Sequence, residues 1–248
     1  MRNIERWRPT KFVMHPNGRI GVASARRDLA AGSVLIASLV ARWYAKNLPK
    51  YVHGHLLDLG CGKVPLYGLY APYADEVLCT DWPSSLHGDL FIDFASDLNV
   101  GIPLPDRSAD TVVLSDVLEH IYQPSLLLAE IRRVLRPGGV LLLNTPFLYW
   151  VHEAPNDFFR YTQYAIRRMA GEAQFDIECV EPIGGGLLVI ADHFGKGVQS
   201  MSPIGPKLSA WVQKLALLAK PDLPRSDIFP LVIGAVLRAP PYDRHKSA

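Results

Sequence analysis

The sequence predicts an α/β protein built on a doubly wound sheet of seven strands, and three observations predict it. Helical and strand-like apolar patterns alternate from residue 33 to residue 144, which implies right-handed crossovers and a mostly parallel sheet. The run Asp110-Thr111-Val112-Val113-Leu114-Ser115 is apolar without alternation, as a central strand covered on both faces requires. Two spaced glycines, Gly60 and Gly62, follow the first apolar run and supply a tight strand-to-helix turn. A chain of 248 residues has room for one such domain with a buried sheet.

The first thirty residues are polar and irregular, with a turn at His15-Pro16-Asn17-Gly18. A helix follows over residues 33–48, where Val34, Leu35, Leu39, Val40 and Trp43 recur at helical spacing, and Pro49 ends it. The first strand covers 55–59, and residues 67–70 belong to the segment after the glycine turn. The second strand covers 76–80, and a short third strand near 90–94 leads into Asp97-Leu98 and a proline-rich loop. Residues 110–115 make the fourth. Pro124 opens a helix whose apolar stripe is Leu127, Leu128, Ile131, Val134 and Leu135. Pro137-Gly138-Gly139 stops that helix, and the fifth strand covers 140–143.

A helix at 163–173 precedes two more β-like runs, 176–180 and 231–237. Roughly fifty residues separate them, too many for a hairpin, so they hold an inserted element. Within it residues 208–219 are amphipathic, with Lys207, Gln213, Lys214 and Lys220 as polar members. With no repeats and no low-complexity linker, the chain divides into three parts. An N-terminal extension and helix cover 1–48, one domain with its insertion at about 186–226 covers 49–240, and a polar tail covers 241–248.

Composition excludes several classes. Lys plus Arg number 26 against 24 Asp plus Glu, so no basic field argues for nucleic acid. Cys61, Cys79 and Cys179 lie in or beside apolar runs without paired spacing, which points to buried thiols and a reducing compartment. Residues 1–8 contain no apolar core of signal-peptide length, and no apolar run reaches membrane-spanning length. The expected compartment is the cytoplasm.

The chemistry starts at Leu56-Leu57-Asp58-Leu59-Gly60-Cys61-Gly62, followed nineteen residues after Gly62 by Asp81. In an α/β sheet, glycines after one strand and an acid ending the next make a nucleoside site, the acid accepting from ribose hydroxyls. A dinucleotide fingerprint needs a third glycine at position 65, where this chain has Pro65. A nucleoside without phosphates fits better, and S-adenosylmethionine is the obvious one.

The central block, about residues 50–180, resembles the class I S-adenosylmethionine-dependent methyltransferases typified by ubiquinone-biosynthesis enzymes. Five motifs in order carry the likeness: the glycine motif, Asp81, Asp97-Leu98 ahead of residues 104–110, Ser115-Asp116-Val117-Leu118-Glu119-His120, and the segment 130–139. It implies a Rossmann-like sheet whose last strand is antiparallel. It also implies S-adenosylmethionine as cofactor. Asp58, Gly60, Cys61 and Gly62 would form the turn, with Asp81 and Trp82 at the ribose and Asp97 and Leu98 at the adenine. Ser115 and Asp116 would meet the methionine end. Asp93 competes with Asp97 for the adenine. Lys63-Val64-Pro65 departs from the family, whose members commonly carry a third glycine there.

The segment 152–162 is similar, more narrowly, to methyltransferases of polysaccharide and sugar-modifying pathways. Its polar residues leave the carboxyl end of the fifth strand, where ligands of open α/β sheets bind. Asn156, Phe158, Arg160 and Tyr161 are candidates to hold a glycan or small-molecule acceptor, the aromatics stacking on a sugar face. O-methylation of a hydroxyl calls for a base. His152 is the first candidate and His120 the second, with Glu153 or Asp157 orienting the histidine or binding the acceptor. No metal is included, since spacing alone does not show carboxylates converging on one point. Alternatives are a quinone-like or protein acceptor, or a non-catalytic cofactor-binding subunit. Leu208, Trp211, Val212, Leu215 and Leu218 form a stripe read as core or a homodimer contact, with peripheral docking on a membrane as the sharper alternative.

Overall fold

The computed structural model describes residues 1–15, 18–23, 29–201, 203–218 and 227–241. Part of the turn expected at 15–18, Lys220 and nearly all of the tail at 241–248 lie outside the described residues. The main sheet is built from β3 (His55–Leu59), β4 (Glu76–Asp81), β5 (Phe94–Ala95), β6 (Ala109–Ser115), β7 (Leu135–Pro146), β8 (Asp176–Ile183) and β9 (Val232–Arg238). Its order is β5-β4-β3-β6-β7-β9-β8, with β9 antiparallel to both β7 and β8 and the first five strands mutually parallel. The chain lays β3, β4 and β5 to one side, then returns to lay β6 and β7 to the other. The point of reversal, between the carboxyl ends of β3 and β6, is where such sheets open a crevice.

Strand periodicity divides the core. Leu56, Val113, Val140, Leu142 and Val236 face one layer, formed largely by α1 (Val34–Tyr51) and α2 (Tyr67–Tyr70). Leu57, Val112, Leu114, Leu141 and Leu143 face the other, formed by α3 (Pro124–Val134) and α4 (Gln163–Glu172). Thr162 caps α4 by accepting from Ala165 N at 3.2 Å.

Five features differ from the sequence reading. The N-terminal region is not irregular: β1 (Phe12–Met14) pairs antiparallel with β2 (Ile20–Val22). Strands of three residues are too short to show a period. α1 runs through Pro49 to Tyr51, because a proline in the last turn forfeits only one backbone bond. Strand β5 begins at Phe94, since Asp93 turns its carboxylate onto Cys79 N (2.8 Å), and ladder pairing starts at Thr80 and Phe94. Leu135 opens β7 instead of closing α3. The insertion holds two helices, α5 (Leu187–Val198) and α6 (Gly205–Leu218), of which only the second was foreseen. Among the described residues, no helix is long and apolar enough to cross a membrane.

Candidate active site

A cleft of about 420 Å³ opens at the point of strand reversal. Its floor is the turn after β3. Gly60 (φ +68°) and Gly62 (φ +53°) are both left-handed there, and a Cβ on Gly60 would stand 2.5 Å from Val117 Cγ2. That turn is fastened by Gly60 N and Cys61 N, which both donate to Thr80 O. Asp81 lies alongside, accepting from Gly62 N (3.2 Å), Trp82 N (2.8 Å) and Ser85 Oγ (2.7 Å). Its carboxylate therefore already sits among donors beside the glycine turn.

The remaining nucleoside candidates are spread more widely. Asp58 lies beneath the turn instead of in the cleft: it is buried, accepts from Tyr70 Oη at 2.7 Å, and burial raises its pKa to about 7. Asp97 accepts from Asn99 N and Nδ2, and Leu98 is buried in the α3–α4 core. Asp93 is occupied by Cys79 N and the N-terminal ammonium, so it is structural. Trp82, 45 % exposed, borders a neighbouring depression with Asp93 and Phe94.

At the far wall, Ser115 and Asp116 end β6, with Asp116 in the left-handed region (φ +52°). Asp116 accepts from Asn144 Nδ2 (2.5 Å), which in turn accepts from Tyr44 Oη (2.5 Å), a buried relay that fixes the carboxylate. Lys11, just before β1, reaches across to Asp116 at 3.1 Å. Burial opposes its charge, but Asp116 outweighs burial and the pKa is raised. Thr10 Oγ1, beside Lys11 in the cleft lining, is buried without a hydrogen-bond partner. A left-handed glycine cradle, a carboxylate beside it, a paired cation and anion, and an orphaned hydroxyl fit a nucleoside bearing a zwitterionic tail. Lys11 and Thr10 were missed because nothing in a polar N-terminal arm marks two residues as part of a distant cleft.

Two histidines meet at the mouth. His120 Nδ1 is 2.7 Å from the Asn156 carbonyl, which only accepts, so Nδ1 is the donor of that bond. His152 Nδ1 stands 3.4 Å from Asp157 Oδ2. Both Nε2 atoms lie 3.8 Å from the same oxygen, Glu119 Oε1, and the rings meet edge-on at 4.8 Å. Glu119 is fully buried. Its Oε2 accepts from Thr145 Oγ1 (3.3 Å), its Oε1 has no hydrogen bond, and burial, then Asp116, raises its pKa well above the carboxylate range. Burial, then His120, lowers the pKa of His152, so its imidazole is neutral at pH 7. Ligand atoms of Glu119, His120 and His152 all lie within 4.8 Å of one another, a set that could also hold a cation.

Of the 152–162 segment, His152 and Glu153 line the cleft. Glu153 faces His87 from the loop after β4 across 3.7 Å, which raises the histidine pKa and lowers that of the glutamate. The other candidates form the loop's scaffold. Asp157 binds both terminal nitrogens of Arg160 (2.5 and 2.7 Å), which holds its pKa well below the usual range. Arg160 also donates to the Trp150 and Phe159 carbonyls. Tyr161 is buried with its hydroxyl on Leu118 O, Asn156 contributes its carbonyl to His120, and Phe158 packs edge-on against Tyr122. The aromatic side chain in the cleft lining is Tyr149, which the sequence did not single out.

Residues 57–143 match the family model described as a methyltransferase domain. Over 96 residues the chain is 35% identical to a probable S-adenosylmethionine-dependent methyltransferase of Mycolicibacterium smegmatis, a match spanning 37% of each protein. It is 29% identical to a ubiquinone biosynthesis O-methyltransferase of Cereibacter sphaeroides over 36% of this chain and 40% of that one. The match thus spans well under half the length of these curated relatives. Among solved structures, the [4+2]-cyclase SpnF superposes with a TM-score of 0.57 at 17% identity, covering 82% of both chains, which shows a shared fold.

Proposed function

We propose that this chain, whose residues 57–143 match a methyltransferase-domain family, is a class I S-adenosylmethionine-dependent methyltransferase that methylates a hydroxyl on a sugar or glycan-pathway intermediate, with His152 as the base. What favours this most is the convergence of two imidazole Nε2 atoms on Glu119 at the mouth of the glycine-floored cleft. The cofactor supplies a methyl group already activated on a sulfonium, so position and proton removal are left to the chain. The glycine turn admits the nucleoside and Asp81 accepts from its ribose. Asp116 and Lys11 answer the ammonium and carboxylate of its tail. His152 takes the acceptor proton at Nε2, while Asp157 faces its Nδ1. Glu119, held protonated by burial, donates to the acceptor without adding charge.

A ring with several hydroxyls and one apolar face suits a lining that offers Glu153 and His87 as well as the Tyr149 ring. A second reading has Glu119, His120 and His152 hold a divalent cation that polarises the hydroxyl, favoured by the closeness of their ligand atoms. The test supplies purified protein and methyl-labelled cofactor with nucleotide sugars, oligosaccharides, quinone precursors and peptides. Label in carbohydrate that survives chelation supports the histidine base. Label lost on chelation and restored by a divalent ion supports the cation. Label only in quinone or peptide defeats the sugar acceptor, and cofactor binding without turnover leaves a non-catalytic subunit.

A further inference from the structure

The inserted helices carry more exposed apolar side chain than their packing uses. On α5, Leu187, Ile190 and Phe194 recur at helical spacing and are 62 %, 65 % and 47 % exposed. On α6, Leu208, Trp211, Leu215 and Leu218 do the same, Trp211 being 60 % exposed. The opposite faces are firmly seated. Gln213 of α6 accepts from Leu35 N (2.7 Å) and donates to Ala31 O (2.8 Å), and Gly195 lets the Gln213 side chain pass against α5. Of the stripe read as core or oligomer contact, Val212 packs against the core, while Leu208, Trp211, Leu215 and Leu218 point outward.

We propose that α5 and α6 together dock on the surface of an anionic phospholipid bilayer. Charge decides between that occupant and others. The exposed ionisable side chains of the two helices, among the described residues, are His193, Lys207 and Lys214, with no exposed acid. Asp192 is buried against Lys196. Both lysines lie on one flank of the α6 stripe, so that the apolar band enters the lipid boundary while they meet headgroups. A two-fold contact between copies through these helices would enclose two lysines from each copy between faces that carry no exposed acid among the described residues. Trp211 in mid-stripe suits the headgroup level of an interface.

The surface is tied to the cleft. Lys196 Nζ of α5 lies 4.1 Å from the centre of the Tyr149 ring and 6.0 Å from that of Trp150. Tyr149 lines the cleft, while Trp150 and Val151 beside it are 44 % and 75 % exposed.

The experiment is vesicle flotation of the full chain, with pure phosphatidylcholine and with phosphatidylcholine containing phosphatidylglycerol. The chain should float with the anionic vesicles, less so as salt rises. Trp211→Glu combined with Leu215→Glu should abolish flotation, and Lys207→Gln and Lys214→Gln should each weaken it roughly fivefold. All variants should keep wild-type affinity for S-adenosylmethionine in calorimetry, since none of these residues touches the cleft. A wild-type chain that floats with neither vesicle overturns the proposal. So does a Trp211/Leu215 variant that floats normally but converts a dimer to a monomer in sedimentation, which would make the face an interface between copies.

Discussion

The roles proposed for Asp81 at the ribose and for His152 as base can each be tested at a single side chain. Asp81 engages three protein donors before any ligand arrives, so its orientation is fixed in advance. In the proposed role it would exchange Ser85 Oγ and Gly62 N for ribose hydroxyls, in charge-assisted bonds worth about 1.5–3 kcal/mol. Asp81→Ala should therefore weaken S-adenosylmethionine binding roughly ten- to a hundredfold in calorimetry. An unchanged affinity would remove Asp81 from the ribose. For His152 the expected loss is in kcat, about a hundredfold or more for His152→Ala, with cofactor affinity nearly intact. The sign of its pH dependence follows from burial. A lowered pKa keeps the imidazole neutral further into acid, so the acid limb of kcat should fall below the ordinary value of 6.5. Wild-type turnover in that variant would pass the role to His120. At this scale the glycines, Asp81 and both histidines were legible, because each ends a strand or heads a loop after one. Lys11, Glu119 and Tyr149 were not. Lys11 lies in an arm without periodicity, and Glu119 reads equally well as a cap or packing residue until His152 is brought beside it.

Elements show the same division for physical reasons. Strands β3, β6 and β7 were readable because burial on both faces leaves continuous apolar runs, and α3 because its stripe has one clear side. Helix α5 escaped notice because Gly195 and Gly197 give its sequence the look of a loop. Gly195 is demanded by helix packing: a Cβ there would stand 2.6 Å from Gln213 Nε2. The loop after β7 gained its order from Arg160, whose grip on Asp157 and two carbonyls is a long-range fact of the fold. Two predictions belong here. Arg160→Leu leaves Asp157, almost fully buried, without its cation, and should cost roughly 3–5 kcal/mol in denaturant unfolding. It should also lower kcat more than cofactor affinity, because the glycine turn lies on a different loop. Equal losses in both would show that the loop supports the whole cleft. Gly60→Ala forces a Cβ into the left-handed region and against Val117, so cofactor affinity should fall while α3 and the strands keep their circular dichroism. Wild-type affinity in that variant would mean that the turn has slack.

The whole molecule is organised around one seam, where β3 and β6 part and the sheet reverses direction. The glycine turn, Ser115 and Asp116 hang from that seam, and so does a buried acid that the cleft does not use. Asp58 lies one residue before the end of β3 among apolar neighbours, and its pKa is raised from 3.8 to about 7, burial outweighing the bond from Tyr70. A carboxyl that holds its proton more tightly when folded favours the fold while protonated. Its contribution is complete below pH 3.8 and is lost as pH rises through about 7. Glu119 acts with the same sign, since burial raises its pKa too, while His152, whose pKa is lowered, acts in the opposite sense. The net slope of stability against pH is therefore mixed, and a difference between two proteins isolates one group. Asp58→Asn keeps an oxygen for the Tyr70 hydroxyl but cannot ionise. Urea unfolding of the cofactor-free proteins at pH 5 and pH 8 should show the wild type losing more stability than the variant across that interval. The gap between them should be on the order of a few kcal/mol, because every tenfold gain in proton affinity on folding is worth about 1.4 kcal/mol. Parallel slopes in the two proteins would mean that Asp58 ionises as easily in the fold as outside it, and that water reaches the seam beneath the glycine turn.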